Sequence, residues 1–420
     1  MSYENKILQM KKMLGKKTDK VQEKPTFQKP DRPTYCEQWQ QAGLELVEND
    51  FGVLFKRVVH YPLDYQHGSY ELGQLYDAIE RWEMRGGDHP YALNFGETLV
   101  FFDTETTGLK GVGTHIFLLG LLEAQDDGFV LTQYVMADPS NEAAMLFESK
   151  FWQRVMTIVS YNGKSFDWPQ LETRWTLNQQ TIPKLRTQRQ IDLLHSSKRL
   201  WKDDLDGMKL TKVEQEKLGF TRVDDIPGHL APIIYFDAVK SGKAETLMKV
   251  LHHNEWDLLS LITLYVHSTN LLLDELGTES ATTYTNIGKW YGDLKQKQTS
   301  ANVLANVTEQ FMDNETGLAH FYLAYEQKRN GQYNAAAYSF AKAVHTTPPR
   351  KQALAYEQLA MIYEHQLNDV KKSYEFAMKG KEVTRAILYP KIEHQHRQLA
   401  AWDKRIQRLK NKLNFLGHRK

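Results

Sequence analysis

The stretch Thr98-Leu99-Val100-Phe101-Phe102, running straight into Asp103-Thr104-Glu105-Thr106-Thr107-Gly108, restricts the fold more than any other part of the chain. An uncharged run rich in aromatic and β-branched residues reads as a strand buried on both faces, and such a strand needs helices packed above and below it. Carboxylates at positions 103 and 105 lie on one face of an extended chain, so both reach one point from the end of that strand. The neighbouring sequence supplies the layers. His115 to Glu123 and Gly128 to Val135 read as strands turned at Asp126-Asp127-Gly128, with later strands at Met156 to Tyr161 and Gln190 to Leu194. Helical stretches fall at Asn141 to Gln153, after Asp167, and from about Gly207 to Thr269. Hairpins first and crossovers later predict an α/β mixed sheet flanked by helices over residues 97–272.

The flanks are different in kind. Residues 1–40 carry Lys6, Lys11, Lys12, Lys16, Lys17, Lys20, Lys24 and Lys29 with Pro25, Pro30 and Pro33, the composition of a flexible basic arm. Residues 41–96 read as an α/β extension, with a strand at Val53 to His60 and an amphipathic helix near Leu72 to Met84. After about residue 280, small residues recur at helical spacing. Leu323-Ala324, Gly331, Tyr333, Ala336, Phe340, Ala343 and Pro348 resemble the tetratricopeptide pattern, and Ala353 to Gly380 repeats part of it through Leu359-Ala360 and Tyr363. The resemblance implies an all-α tetratricopeptide-like helical repeat domain over 282–385, with a surface on which a protein partner can dock. Helices at Ala301 to Phe311 and Thr384 to Leu416 are expected to complete the stack. Residues 386–420 read as a basic helix: Arg397, Lys404, Arg405, Arg408, Lys410, Lys412, Arg419 and Lys420 outnumber Glu393 and Asp403, and Leu399, Trp402, Ile406, Leu409 and Leu413 form its apolar side.

Lys+Arg is 53 and Asp+Glu is 52, so a formal charge of +1 excludes steering of nucleic acid by the whole molecule, and any binding charge must be local. The single Cys36 excludes an internal disulfide framework and a cysteine zinc site. The apolar run Ile116 to Leu122 is too short to span a bilayer, and the opening Met1-Ser2-Tyr3-Glu4-Asn5-Lys6 is polar. These features predict a cytoplasmic protein without a membrane partner.

A third acid, Asp167, closes Asn162-Gly163-Lys164-Ser165-Phe166-Asp167 after another buried strand. A fourth, Asp257, ends His252-His253-Asn254-Glu255-Trp256-Asp257 on a helix whose Leu251, Leu258, Leu261 and Ile262 face the core. Each pair of like charges about 4 Å apart costs on the order of 4 kcal/mol near a protein surface, so the acids can share a site only around cations. Oxygen ligands select Mg²⁺ or Mn²⁺ over zinc. Two such ions roughly 4 Å apart stabilise an in-line displacement at phosphorus, the step of phosphodiester hydrolysis. The attacking water needs a base, and a histidine beside the fourth acid is a fit candidate.

Asp-x-Glu-Thr-Thr-Gly at 103–108, Asn-Gly-x-x-Phe-Asp at 162–167 and the closing His with Asp257 resemble the three motifs of the DEDD superfamily of 3'-to-5' exonucleases, over about residues 97–272. The resemblance implies a ribonuclease H-like fold, metal ligation by Asp103, Glu105, Asp167 and Asp257 around two Mg²⁺ or Mn²⁺ ions, and a 3'-terminal nucleotide of DNA or RNA near Thr106, Thr107 and Asn162. Lys164 is placed to touch a phosphate. The superfamily has a histidine and a tyrosine version of its last motif; His252 has the histidine spacing and His253 occupies the tyrosine position. His253 shares a helical face with Asp257 at i,i+4 whereas His252 is rotated away, which favours His253 as base and leaves His252 as the alternative. His253-Asn254-x-x-Asp257 and Ile226-Pro227-Gly228 are also similar to a group of bacterial ribonuclease-H-like proteins of unassigned substrate.

Asp192, Asp203, Asp204 and Asp206 read as surface or cap residues, and Trp175 as core. The leading expectation is a metal-dependent 3'-to-5' exonuclease. Its competitors are a non-catalytic adaptor that binds nucleic acid through the same fold and protein through the repeat, and a structure-specific endonuclease.

Overall fold

Strand β1 (Glu45–Asn49), β2 (Gly52–Pro62), β3 (Leu99–Thr106), β4 (Ile116–Gln125), β5 (Gly128–Met136), β6 (Thr157–Ser160) and β7 (Arg189–Asp192) form a mixed sheet in the order β1-β2-β5-β4-β3-β6-β7. The computed structural model describes residues 27–417 apart from 87–88, 109–110, 112 and 275. Pairings from β1 to β3 are antiparallel, and β6 and β7 join parallel to β3, as crossovers through helices require. The expected mixed α/β sheet with flanking helices, followed by an all-helical region, is therefore what the chain builds.

Several boundaries moved. The first apolar strand does not stop before its acids: β3 runs to Thr106 and carries Asp103 and Glu105 inside it, because β4 pairs with it residue by residue up to a register shift between Glu105 and Thr106. β2 pairs with β5 from Leu54 to Pro62 and with β1 on its other side, so residues expected as an extension contribute two strands to the same sheet. The helix expected over 141–153 is shorter, Glu142–Glu148, entered by a single turn over Pro139–Asn141 whose free N–H groups are taken by the Asp138 carboxylate. It ends where Lys150 turns to a φ of 60°. Within the arm expected over 1–40, helix α1 (Cys36–Gln41) buries Cys36 and Trp39; the lysines from Lys6 to Lys24 and Pro25 lie outside the described residues.

Helices α2 (Gln74–Arg85), α3 (Glu142–Glu148), α4 (Asp167–Leu177), α5 (Leu193–Trp201), α6 (Ala231–Ser241) and α7 (Glu245–Leu273) cover the sheet. One core joins Phe101, Leu122 and Leu131 to α2 and the second half of α7, and the other joins Phe102, Leu121 and Val135 to α3, α4 and α6. Trp168 and Trp175 are both buried in the second core. The first core continues without a break into α8 (Ala281–Asp293) and α9 (Lys297–Gln310) through Tyr284, Trp290 and Leu304.

Pairs α10 (Gly317–Arg329) with α11 (Tyr333–Ala343) and α12 (Pro349–His365) with α13 (Val370–Ala386) follow, and α14 (Ile392–Gly417) closes the chain. Phe321, Ala324, Ala336 and Phe340 pack between the first pair, the small residues letting the helices approach. Part of the basic face of α14 is already used: Arg408 and Lys412 both hold the buried Glu364 and Arg405 holds Glu357. Among the described residues no helix is long and apolar enough to cross a membrane.

Candidate metal centre

Packing first decides where α7 can lie. Its Asn254 faces Gly120 of β4 so closely that a Cβ on Gly120 would overlap the Asn254 amide and come within 2.7 Å of Leu258 Cδ1, so glycine is what admits the helix to the sheet. Asn254 is wholly buried; Gln133 Nε2 donates to its Oδ1 at 2.9 Å, and its own Nδ2 donates to Asp103 Oδ2 at 2.8 Å. One helical turn further on, Asp257 is delivered to the end of β3. The third acid arrives through a tight loop. Asn162 adopts a φ of 65°, and Gly163 presses against Ser160, where a Cβ would fall 2.6 Å from the serine Cβ. Asp167 then starts α4, with Thr104 Oγ1 donating to its carboxylate.

Glu105, His253 and Asp257 each place a ligand atom within 4.8 Å of the others. Asp103 and Asp167 border this trio closely enough for their charges to be felt. Burial, then repulsion from Asp257, Asp167 and Glu105, raises the Asp103 pKa well above the ordinary 3.8. Burial, then Asp257, Asp167 and Asp225, does the same to Glu105. Burial also lifts Asp167 to about 6, against the opposing hydrogen bond from Thr104. Carboxylates so placed favour either a proton or an external cation at neutral pH. A cluster of carboxylate oxygens with one imidazole beside it fits Mg²⁺ or Mn²⁺.

The Asp167 shift has a consequence for stability. The folded chain binds this proton more tightly than the unfolded one, so the contribution is fully present below about pH 4 and is lost as pH rises through about 6. In EDTA, Asp167→Asn should gain Tm over the parent as pH goes from about 5 to 7. A Tm difference that does not change with pH would contradict the shift.

Three residues that sequence reasoning missed complete the site. Arg222, almost fully enclosed, donates to Glu214 at 2.6 and 2.8 Å and to Asp257 Oδ1 at 2.6 Å. It supplies one internal positive charge to the cluster; Asp257 is the one of the four acids it touches among the described residues. Its own pKa is raised by Glu214 and Asp257 against the cost of burial. Asp225 accepts from His253 Nδ1 at 2.7 Å, shorter than the 3.3 Å between that nitrogen and Arg222, which assigns the Nδ1 proton to the carboxylate. His253 Nε2 is left as an acceptor 3.6 Å from Asp257 Oδ2. The available signal was slight: Arg222 and Asp225 both come just before the Ile226-Pro227-Gly228 turn, and Gly228 approaches His253 Nε2 to 3.5 Å from its Cβ position.

The remaining expected residues divide. His252 is exposed and turned to Glu255 at 3.2 Å, away from the acids. Thr106 Oγ1 donates to Gly108 O at 2.8 Å and Thr107 Oγ1 accepts from His115 N at 2.9 Å, so both hydroxyls shape the loop after β3. Asn162 and Lys164 are exposed beside Asp167, their backbone N–H groups donating to Asp192 at 2.8 and 3.2 Å. Asp192 also caps α5 through Leu194 N at 3.0 Å, which ends β7 two residues before the expected Leu194.

Comparison with known proteins places this geometry. A family model described as the RNase_H superfamily matches residues 100–269, the span that holds all four acids and both histidines. The uncharacterized protein YprB of Bacillus subtilis (strain 168) is 33% identical over 410 residues, which covers 95% of this chain and 98% of that protein.

Proposed function

The chain belongs to the family of that Bacillus protein and carries an RNase_H superfamily domain, and on this premise we propose that it is a metal-dependent nuclease of the DEDD type that trims 3' ends of DNA or RNA. The observation that carries the reading is the convergence of Asp103, Glu105, Asp167 and Asp257 with His253 at the end of β3. Asp103, Glu105, Asp167 and Asp257 would hold two Mg²⁺ or Mn²⁺ ions, which supply Lewis-acid polarisation of a phosphodiester and stabilise charge on its leaving oxygen.

The chain's own groups do the rest. Asp225 fixes the His253 tautomer, so that Nε2 can take the proton of the attacking water. Asn254 holds Asp103 by one oxygen and Thr104 holds Asp167, each limiting the carboxylate to one orientation. Asn162 and Lys164, exposed at the rim, bind the terminal nucleotide, with Thr106 and Thr107 setting the loop opposite. The pairing of α10 with α11 and α12 with α13 supports a tetratricopeptide-like repeat behind the nuclease.

Labelled single-stranded DNA, RNA and duplexes incubated with the full chain in Mn²⁺ should shorten from the 3' end, and a blocked 3' end should protect them. Internal cuts on the blocked substrate would replace trimming with endonucleolytic cleavage, and no metal-dependent cleavage of any substrate would end the nuclease reading. Within this assay His253→Ala should lower kcat by about 10²-fold, whereas His252→Ala should leave it nearly unchanged. The reverse order would move the base to His252.

A further inference from the structure

Helix α5 starts at the loop beside the acids and leads away from it. The Asn162–Lys164 loop is tied to Asp192, the N-cap of α5, and its Gly163 Cβ position lies 3.5 Å from Asp167 Oδ2. From that anchor His195, Lys198, Arg199 and Lys202 follow at i, i+3, i+4 and i+7, all exposed on one stripe. The stripe is about 10 Å long, enough for roughly three phosphates of a stacked strand.

Helix α8 lies alongside and closes a cleft of ≈ 390 Å³ with Lys289 and Trp290. Four permanent cations, Lys198, Arg199, Lys202 and Lys289, line it against one acid, Asp293, 3.4 Å from Arg199. Arg199 lies over the Trp290 ring at 5.4 Å and Lys289 over Tyr322 at 5.7 Å, contacts that hold their heads without neutralising them. Of the acids just after the stripe, Asp204 is turned to Ser280 at 2.5 Å and Thr283 at 2.6 Å.

The geometry points to this cleft as a track for the phosphodiester backbone of a single strand whose end lies at the acid cluster. This rests on the nuclease reading and adds to it the path of the substrate, shared between the sheet domain and the first helix of the helical region. A chain with a formal charge of +1 must concentrate its binding charge locally, and this concentration begins one turn after Asp192, which is tied to the loop leading into Asp167. Phosphate contacts position a strand without reading its sequence, so the track serves any base order.

The test uses the full chain carrying Lys198→Glu and Lys202→Glu together, both exposed, and separately Lys289→Gln. Binding of a fluorescent oligothymidylate is titrated against salt, with Ca²⁺ in place of Mn²⁺ to withhold cleavage. Hydrolysis of the p-nitrophenyl ester of thymidine 5'-monophosphate, too short to reach α5, is measured in Mn²⁺. The double variant should bind the oligomer about tenfold or more weakly at low salt, with a salt slope smaller by about 1 to 2, and should hydrolyse the ester like the parent. Lys289→Gln should lose affinity in the same direction by less. Unchanged oligomer binding and slope would overturn the track, and so would an equal loss on ester and oligomer. If the parent cleaves neither substrate, the nuclease reading fails and the binding comparison alone decides the track.

Discussion

Asp103→Asn should lower nuclease activity by about three orders of magnitude or more, a loss of roughly 4 kcal/mol of transition-state stabilisation, while raising the metal-free Tm. Both effects have one cause. Asp103 lies among Asp257, Asp167 and Glu105 in a buried site that drives its pKa well up, so its charge is costly to the fold. Asparagine keeps the shape and can still meet Asn254, but removes one of the like charges and one of the proposed metal ligands. The stabilisation is expected at about 1–3 kcal/mol near neutral pH, the ordinary range for relieving an unfavourable buried group. Thermal unfolding in EDTA and a cleavage assay in Mn²⁺ check the two halves. A variant that stays active would show that Asp103 is not a ligand, and one that melts below the parent in EDTA would show that its charge is not costly to the fold.

Arg222→Gln should act in the opposite sense. The guanidinium is the internal counter-charge for Glu214 and Asp257 and lies 3.4 Å from Asp225, and its side chain is 5% exposed. Removing one partner of a buried ion pair costs about 3–5 kcal/mol because the other charges stay behind unpaired. The EDTA-treated variant should therefore melt well below the parent. Mn²⁺ at about 100 times its Kd returns roughly 2.7 kcal/mol to any state that binds it, and a site deprived of Arg222 should bind the ion more tightly. The Mn²⁺-induced rise in Tm should then exceed that of the parent. Equal rises would mean that Arg222 and the metal do not share the same acids.

The sequence was most legible where chemistry follows chain spacing. Asp103 and Glu105 at i,i+2 on a strand fix a shared face, and His253 and Asp257 at i,i+4 fix a shared helical face, which also turns His252 outward. The alternation of apolar strands and helices carried the mixed sheet in the same way. What it could not carry was partnership across distance. Nothing near Arg222 in the chain announces that it will meet Asp257, 35 residues on, or that Asn254 will hold Asp103 from 151 residues away. Nor did residues 45–62 declare that they would extend the central sheet, since a strand's edge partner is chosen by packing.

Local periodicity thus determined that a carboxylate-bearing strand end and a histidine-bearing helix exist, because backbone geometry alone sets which side chains share a face. Tertiary structure decided how close they come and what balances them: Gly120 admits α7 to the sheet, and Arg222 and Asp225 return through a loop to meet it. The difference is physical. A helix or strand face is set by dihedral angles of adjacent residues, whereas a buried charge balance is settled only when distant segments lose water together.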